Sequence, residues 1–290
     1  MKILVTGTSG QVGYELQRSL QGLGEVVAVD RAQMDLSNLD QVRDVIRAVK
    51  PALIVNPAAY TAVDKAESEP ALAFRINGEA PGVMAEEAQK LGAGIVHYST
   101  DYVFDGSKVG PYVETDSTCP INVYGASKLA GEQAIAAAGV PHLIVRTSWV
   151  YGMRGKNFLL TMLRLAAERD ELRIVGDQFG SPTWSRTIAD TTAQLLARLD
   201  GDGGLLTAMA GEQGGIYHLT SSGSTSWHGF TEQIVAHASV VNKPSVLAIK
   251  AAEYPVPAKR PANSVMAGDK LAALGVHVPD WRTALALCLG

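Results

Sequence analysis

The chain has 290 residues, 47% of them apolar, enough to bury a substantial core as one large domain with a smaller lobe. Its 25 Lys and Arg against 29 Asp and Glu give a net charge of -4, and without a basic cluster interleaved with aromatics a nucleic-acid partner is excluded. No apolar stretch approaches the roughly 18 residues that span a bilayer, and Lys2 to Gly7 reads as a buried strand meeting a glycine turn, not as a secretory leader. A cytoplasmic protein without a membrane partner is expected.

Taken in chain order, short β-branched runs alternate with longer amphipathic ones. Strands are predicted over Lys2 to Thr6, Val26 to Val29, Leu53 to Asn56, Gly94 to Ser99 and His142 to Thr147. A helix over Gln11 to Leu20 puts Val12, Leu16 and Leu20 on one face, and Leu39 to Val49 repeats the pattern. Ser37-Asn38-Leu39-Asp40 is the start signal of that second helix, with a hydroxyl cap and an acid three residues on, and Pro51 stops it. Further helices are expected over Glu69 to Leu91, closed by Gly92, and over Tyr124 to Ala138, closed by Gly139. Strand and helix repeated with right-handed crossovers give an α/β fold, a Rossmann-type doubly wound parallel sheet over residues 1–150. Beyond, over 151–290, the pattern loosens into a smaller C-terminal lobe, with some later segments returning to the sheet. Helices are expected there over Asn157 to Glu168, Thr187 to Leu199 and Ser226 to Ala238. Strands are expected near Leu172 to Val175 and Ile216 to Leu219, and Gly201 to Gly215 reads as an exposed loop.

Cys119 and Cys288 are expected to be reduced and structural. Histidines 97, 142, 218, 228, 237 and 277 contain no helical metal pair, so each is expected to be an ordinary core or surface histidine, and no metal site is foreseen.

Gly7-Thr8-Ser9-Gly10-Gln11-Val12-Gly13 lies between the first strand and the first helix. Gly7 permits the tight turn, Gly10 lets the backbone approach a pyrophosphate, and Gly13 lets the helix pack on the sheet. The helix end then offers N–H groups and a positive dipole to phosphates. Asp30, seventeen residues beyond Gly13, suits ribose hydroxyls and favours NADH, whereas Arg31 beside it suits a 2′-phosphate and favours NADPH. Both cofactors stay open, with a solvated turn the plainer reading of the two residues.

Tyr124 and Lys128 stand four residues apart, on one face of a helix. A phenol beside an ammonium suits proton transfer to a carbonyl, because the cation lowers the phenol's pKa. Ser99-Thr100-Asp101 ends the preceding strand where open α/β sheets bind ligands, so Thr100 or Ser99 can bond the reacting carbonyl oxygen. Loop, hydroxyl and Tyr–Lys pair occur in the order that a nicotinamide-dependent carbonyl reductase requires.

With these features the sequence resembles the extended short-chain dehydrogenase/reductase superfamily. Asn56 to Glu67, Ser99 to Gly106, Tyr124 to Lys128, Arg146 to Gly152, Asp177 to Thr183, Tyr217 to Leu219, Ser226 to His228 and Arg260 to Ser264 narrow the likeness to the dTDP-4-dehydrorhamnose reductase family. The resemblance implies reduction of the C4 ketone of a dTDP-linked 4-keto-6-deoxyhexose with NADPH or NADH. It further implies that Tyr124 donates the proton, Lys128 lowers the pKa of that phenol and holds the nicotinamide ribose, and Thr100 binds the carbonyl oxygen. Gly10, Gln11 and Val12 would face the pyrophosphate, Asp30 the ribose, and Asp35 and Leu36 the adenine. Ala59, Tyr60 and Thr61 would face the nicotinamide, with Tyr98 among the cofactor contacts. Thr100, Asp101 and Trp149 would meet the sugar, and Arg260 its diphosphate. Pro57 departs from the family's alanine and removes a backbone N–H. Monomer and homodimer stay open. Another nucleotide sugar, acted on by a reductase or epimerase, and a non-catalytic regulatory subunit of the same fold are the competing readings.

Overall fold

A computed structural model describes residues 1–201, 203–237 and 243–290. Its centre is a six-stranded, wholly parallel sheet of β1 (Lys2–Val5), β2 (Glu25–Ala28), β3 (Leu53–Asn56), β4 (Gly94–Thr100), β5 (His142–Thr147) and β6 (Gly215–His218). Their spatial order is β2-β1-β3-β4-β5-β6. The direction of winding reverses between β1 and β3, and at such a switch point the crevice beyond the strand C-termini receives ligands. The glycine loop leaves β1 there, and Pro57 to Thr61 leave β3.

Alternating residues of the central strands feed two separate cores, because successive strand side chains point to opposite faces. Ile3, Val5, Leu53 and Val55 pack with Leu16, Leu20, Ile188 and Leu195 on one face. Leu4, Ile54, Ile95 and Ile144 pack with Val42, Ile46, Met84 and Ile135 on the other. A third core, outside the sheet, gathers Tyr151, Leu159, Phe230, Ile234, Trp281 and Leu285.

Most expected elements are present within a residue or two, and the differences have local causes. The Leu39–Val49 helix is capped by Asn38, whose side chain accepts from Gln41 N at 3.1 Å, while the Ser37 hydroxyl turns back to Asp35. The long helix expected from Glu69 is interrupted: Pro70–Phe74 runs into a π-helical turn, Arg75–Glu79, before Ala80–Leu91. Such bulges mark functional positions often enough to merit scrutiny. Gly201 to Gly215 is not one loop, since Leu205–Ala210 is helical and buries Leu205 and Met209 beneath the sheet's edge; two apolar anchors outweigh the glycines around them. The expected helix ending at Ala238 is present as Trp227–His237, and Ala238 and Asp202 lie outside the described residues.

β4, β5 and the Val123–Ala137 helix are joined by an ion pair. Arg146 donates from Nε and Nη2 to Glu132 at 3.0 and 2.7 Å, with side-chain exposures of 2% and 4%, and the Ser99 hydroxyl donates to the same carboxylate. Removing one partner strands the other charge. Glu132→Gln is therefore expected to lower stability by about 3–5 kcal/mol, read as a lower urea midpoint at unchanged slope; an unmoved midpoint would mean that the pair contributes nothing to this fold.

Candidate active site

The glycine loop is built as a cradle. Gly7 takes φ +57° and lies so close to β3 that a Cβ would stand 2.8 Å from that of Ala58. A Cβ on Gly13 would stand 2.3 Å from the Gly7 carbonyl oxygen, so only glycine lets the Gln11–Ser19 helix begin here. No side chain caps that helix at Gly10, which leaves its N-terminal end open to phosphates. These features fit a dinucleotide. The Gln11 side chain is engaged elsewhere, its Oε1 accepting from Asn157 at 2.8 Å, and Val12 packs against the first core.

At the end of β2 the structure supports the plainer reading more than a preformed ribose site. Asp30 Oδ1 accepts from the backbone of Ala32 and Gln33 at 2.9 and 3.2 Å. Arg31 is 76% exposed and pairs with Asp35 at 3.4 Å. Asp35 is held below the usual carboxylate range by the Ser37 backbone N–H, with the Ser37 hydroxyl and Arg31 aiding and burial opposing. Leu36 is buried in the second core with Val29 and Val42. On β3's continuation, the amide of Asn77, in the π-helical turn, brackets Tyr60: Oδ1 accepts from Tyr60 N at 2.8 Å, and Nδ2 donates to Tyr60 O at 3.0 Å. Nδ2 also donates to Ser127 Oγ at 3.0 Å. The bulge thus ties Ala59 to Thr61 to the helix that carries Tyr124. Sequence periodicity carries no trace of that clamp.

The Val123–Ala137 helix starts at Asn122, which accepts from Gly125 N at 2.7 Å and donates to the Lys259 carbonyl at 2.7 Å. A Cβ on Gly125 would stand 2.1 Å from the Tyr102 carbonyl oxygen, so glycine after Tyr124 lets the helix press onto the turn that follows β4. There the Thr100 hydroxyl donates to Asp101 Oδ1 at 2.9 Å. The Tyr102 ring meets that of Tyr124 edge-on, with centroids 5.6 Å apart. Asp101 is 1% exposed, its Oδ2 has no partner among the described residues, and burial pushes its pKa up to about 6 against the Ser264 and Thr100 hydroxyls.

Part of Tyr124 reaches solvent, yet desolvation of its hydroxyl is the largest influence and raises its pKa well above the usual value; the Thr100 hydroxyl opposes, and Asp101 and Tyr102 add to the rise. Lys128, the cation expected to lower it, is not among the groups that act on Tyr124. Lys128, 1% exposed, donates to the Tyr98 carbonyl at 2.6 Å and lies 3.0 Å from His97 Nε2. Burial pushes Lys128 down to about 7, Glu132 opposing. Tyr98 thus contributes its carbonyl to the site, while its ring lies in the first core and its hydroxyl bonds Thr192 at 2.7 Å. His97 is a satisfied core histidine, as expected, with Asn56 at its Nδ1 and Lys128 at its Nε2, both at 3.0 Å.

Trp149 holds φ +47°, an outlier for a bulky residue. Its indole stacks on Trp227 with centroids 3.5 Å apart at 3°, and glycine at 180 makes room for it, since a Cβ there would lie 2.5 Å from the ring. Arg260 donates to Asp64 Oδ2 at 2.9 Å. Tyr102 is pushed up to about 12 by burial and by Asp101, with the Arg260 guanidinium opposing. Arg260 therefore stands one ring away from Tyr124.

A phosphate cradle at the switch point, with a phenol, a buried amine and a hydroxyl at the next strand end, defines a nicotinamide-dependent oxidoreductase of the short-chain dehydrogenase/reductase type. The family model described as the RmlD substrate binding domain matches residues 1–290. A dTDP-4-dehydrorhamnose reductase of Burkholderia thailandensis is 52% identical, over 100% of this chain and 98% of that protein. Among solved structures, the Clostridium acetobutylicum dTDP-4-dehydrorhamnose reductase superposes with TM-score 0.90 at 36% identity, over 99% of this chain and 98% of its own. The Bacillus anthracis enzyme of the same name, solved in complex with NADP, superposes with TM-score 0.89 at 36% identity over the same shares. The chain belongs to the dTDP-4-dehydrorhamnose reductase family.

Asp101 gives this site a pH signature. Its pKa is raised from 3.8 to about 6 by folding, so the stability that the neutral acid contributes is complete below about 4 and is lost as pH rises through about 6. Asp101→Asn is expected to raise the melting temperature relative to the native chain at pH 7.5, by an amount worth up to about 3 kcal/mol, and by much less at pH 4.5. A gain that is equal at both pH values would rule out a buried, titrating carboxyl.

Proposed function

We propose that this chain reduces the C4 ketone of dTDP-4-dehydro-6-deoxy-L-mannose to dTDP-L-rhamnose with NADPH or NADH. Residues 1–150 mainly hold the dinucleotide and residues 151–290 mainly the nucleotide sugar. The observation that carries the reading is the convergence of Thr100, Tyr124 and Lys128 at the end of β4, in a chain that is like reductases of this name over its full length. Reduced nicotinamide, when bound, supplies the hydride.

The chain's own residues manage the proton. Tyr124 is kept as a phenol by its desolvated surroundings, so it arrives at the ketone with a proton to give. Thr100, the group that the Tyr124 hydroxyl faces, turns its one proton from Asp101 Oδ1 to the carbonyl oxygen and orients it by a second hydrogen bond. As the oxygen gains charge, Tyr124 transfers its proton and becomes a phenolate. A cation on Lys128 stabilises that phenolate, and with a pKa of about 7 the amine is charged for much of the time at neutral pH. Trp149, held between Trp227 and Gly180, is the aromatic side chain that meets the hexose. Arg260, beside Tyr102, offers a planar fork to the diphosphate.

Tyr124→Phe is expected to lower kcat about 10²–10⁴-fold while NADPH still binds; undiminished turnover would remove Tyr124 as the proton donor. Arg260→Ala is expected to raise KM for the nucleotide sugar far more than it lowers kcat, and an unchanged KM would take it out of the site. Product identification by NMR after incubation with the dTDP-linked 4-keto sugar, under NADH and NADPH in turn, tests the reaction itself. Turnover with a GDP-linked sugar alone would overturn the substrate assignment.

A further inference from the structure

Behind Tyr124 a string of buried polar side chains crosses three strands, and ketone reduction as described uses only its last member. Thr6, Asn56, His97 and Lys128 are 1%, 0%, 0% and 1% exposed. Thr6 Oγ1 lies 2.6 Å from Asn56 Oδ1, Asn56 Nδ2 lies 3.0 Å from His97 Nδ1, and His97 Nε2 lies 3.0 Å from Lys128 Nζ. Lys128 Nζ also donates to the Tyr98 carbonyl at 2.6 Å. Buried groups of this kind must satisfy one another.

Counting donors and acceptors leaves the amide and imidazole two arrangements, of which the first excludes a charge on Lys128 and the second admits one, since an Nε2 lone pair accepts from an ammonium or from a neutral amine. In one, the Asn56 amino group donates to His97 Nδ1, so the neutral ring carries its proton on Nε2. That N–H can only donate, and Lys128 must receive it as a neutral amine. In the other, the Asn56 amide is turned over: its oxygen accepts from Nδ1–H, and its amino group donates to the Thr6 hydroxyl. Nε2 then offers a lone pair, and Lys128 donates to it as an ammonium. The second arrangement holds one proton more than the first: the Nε2 proton passes to Nζ and the proton taken up goes to Nδ1 as the Asn56 amide turns over, so the imidazole is neutral in both. A doubly protonated ring is disfavoured by burial and by the facing Lys128 charge.

We propose that His97 is a positioning residue for the reductase site: its tautomer, locked to the orientation of the Asn56 amide, decides whether Lys128 can carry the charge that Tyr124 needs as it releases its proton. The consequence for Tyr124 rests on the ketone-reduction reading, whereas the coupling of His97 to Lys128 requires only that the cofactor ribose meets the amine. The other charged groups here are already committed. Glu132, one turn along the helix from Lys128, is paired with Arg146 of β5 and Ser99 of β4, and Asp101 and Tyr102 act on Tyr124. Burial brings Lys128 to about 7, so both arrangements are populated near neutral pH.

The test is the pH dependence of NADPH affinity, followed by cofactor fluorescence on the full-length chain and on Lys128→Met, His97→Gln and His97→Leu. The midpoint seen in the native chain is expected to vanish in Lys128→Met. Glutamine puts an amide oxygen near the place of Nε2, accepts from the ammonium whatever Asn56 does, and is expected to raise the midpoint by about one pH unit. Leucine offers no acceptor, leaves the ammonium with one partner, and is expected to lower it by a similar amount. Midpoints that stay at the native value, or that move the same way in both variants, overturn the proposal; if the leucine variant fails to fold, an unmoved glutamine midpoint does so alone. Turnover of the dTDP-linked ketone by the native chain is measured separately. Absent turnover with shifted midpoints removes the substrate reading and leaves His97 in its role, and turnover with unmoved midpoints removes His97 alone.

Discussion

A lysine side chain with 1% of its surface exposed must be solvated by the protein around it, because an unpaired buried ammonium costs several kcal/mol. Lys128 receives that solvation from β4, through the Tyr98 carbonyl and the His97 ring. His97 is in turn held by Asn56 of β3, and Asn56 by Thr6 after β1. The register of three parallel strands is thus linked to one amine, and a slip of one residue in any of them would put apolar side chains where these polar ones stand. The same alternation that sends Val55 and Val96 into the first core and Ile54 and Ile95 into the second delivers the polar side chains to the ligand-binding edge.

Around that centre, segments distant in sequence are tied by side chains that reach backbone. Asn122 caps its own helix with one end of its amide and holds Lys259 with the other. Asn77 brackets Tyr60 and Ser127 from a π-helical turn, and Asn157 caps a helix while reaching Gln11 in the glycine loop. Each amide joins an element of residues 1–150 to another, or to the later part of the chain. The glycine loop, the turn at Tyr60 and the helix that carries Tyr124 are consequently tied to distant segments by hydrogen bonds.

The site stores cost as well as stability. Trp149 sits in a left-handed conformation that a bulky residue rarely takes, and stacking on Trp227 holds it there. Asp101 keeps in the interior an oxygen that has no hydrogen-bond partner among the described residues. Among the described residues, the ring nitrogens of His218 and one Arg146 nitrogen also lack hydrogen-bond partners, and both side chains lie against the Phe104 ring.

Local patterns in the sequence determined the parallel α/β class, the cradle of Gly7, Gly10 and Gly13, and the pairing of Tyr124 with Lys128 on one helix face. All of these follow from periodicities and spacings within about thirty residues. Even there, the expectation that Lys128 would act directly on Tyr124 missed the partners that hold the amine. The helix at Leu205–Ala210, the split of the helix at Arg75–Glu79, the engagement of Arg260 with Asp64, and the whole string from Thr6 to Lys128 were decided only by tertiary structure. Their partners lie tens to almost two hundred residues apart in the sequence, and what a buried polar side chain does depends on which groups the fold brings within hydrogen-bonding distance of it. No periodicity along one chain records that.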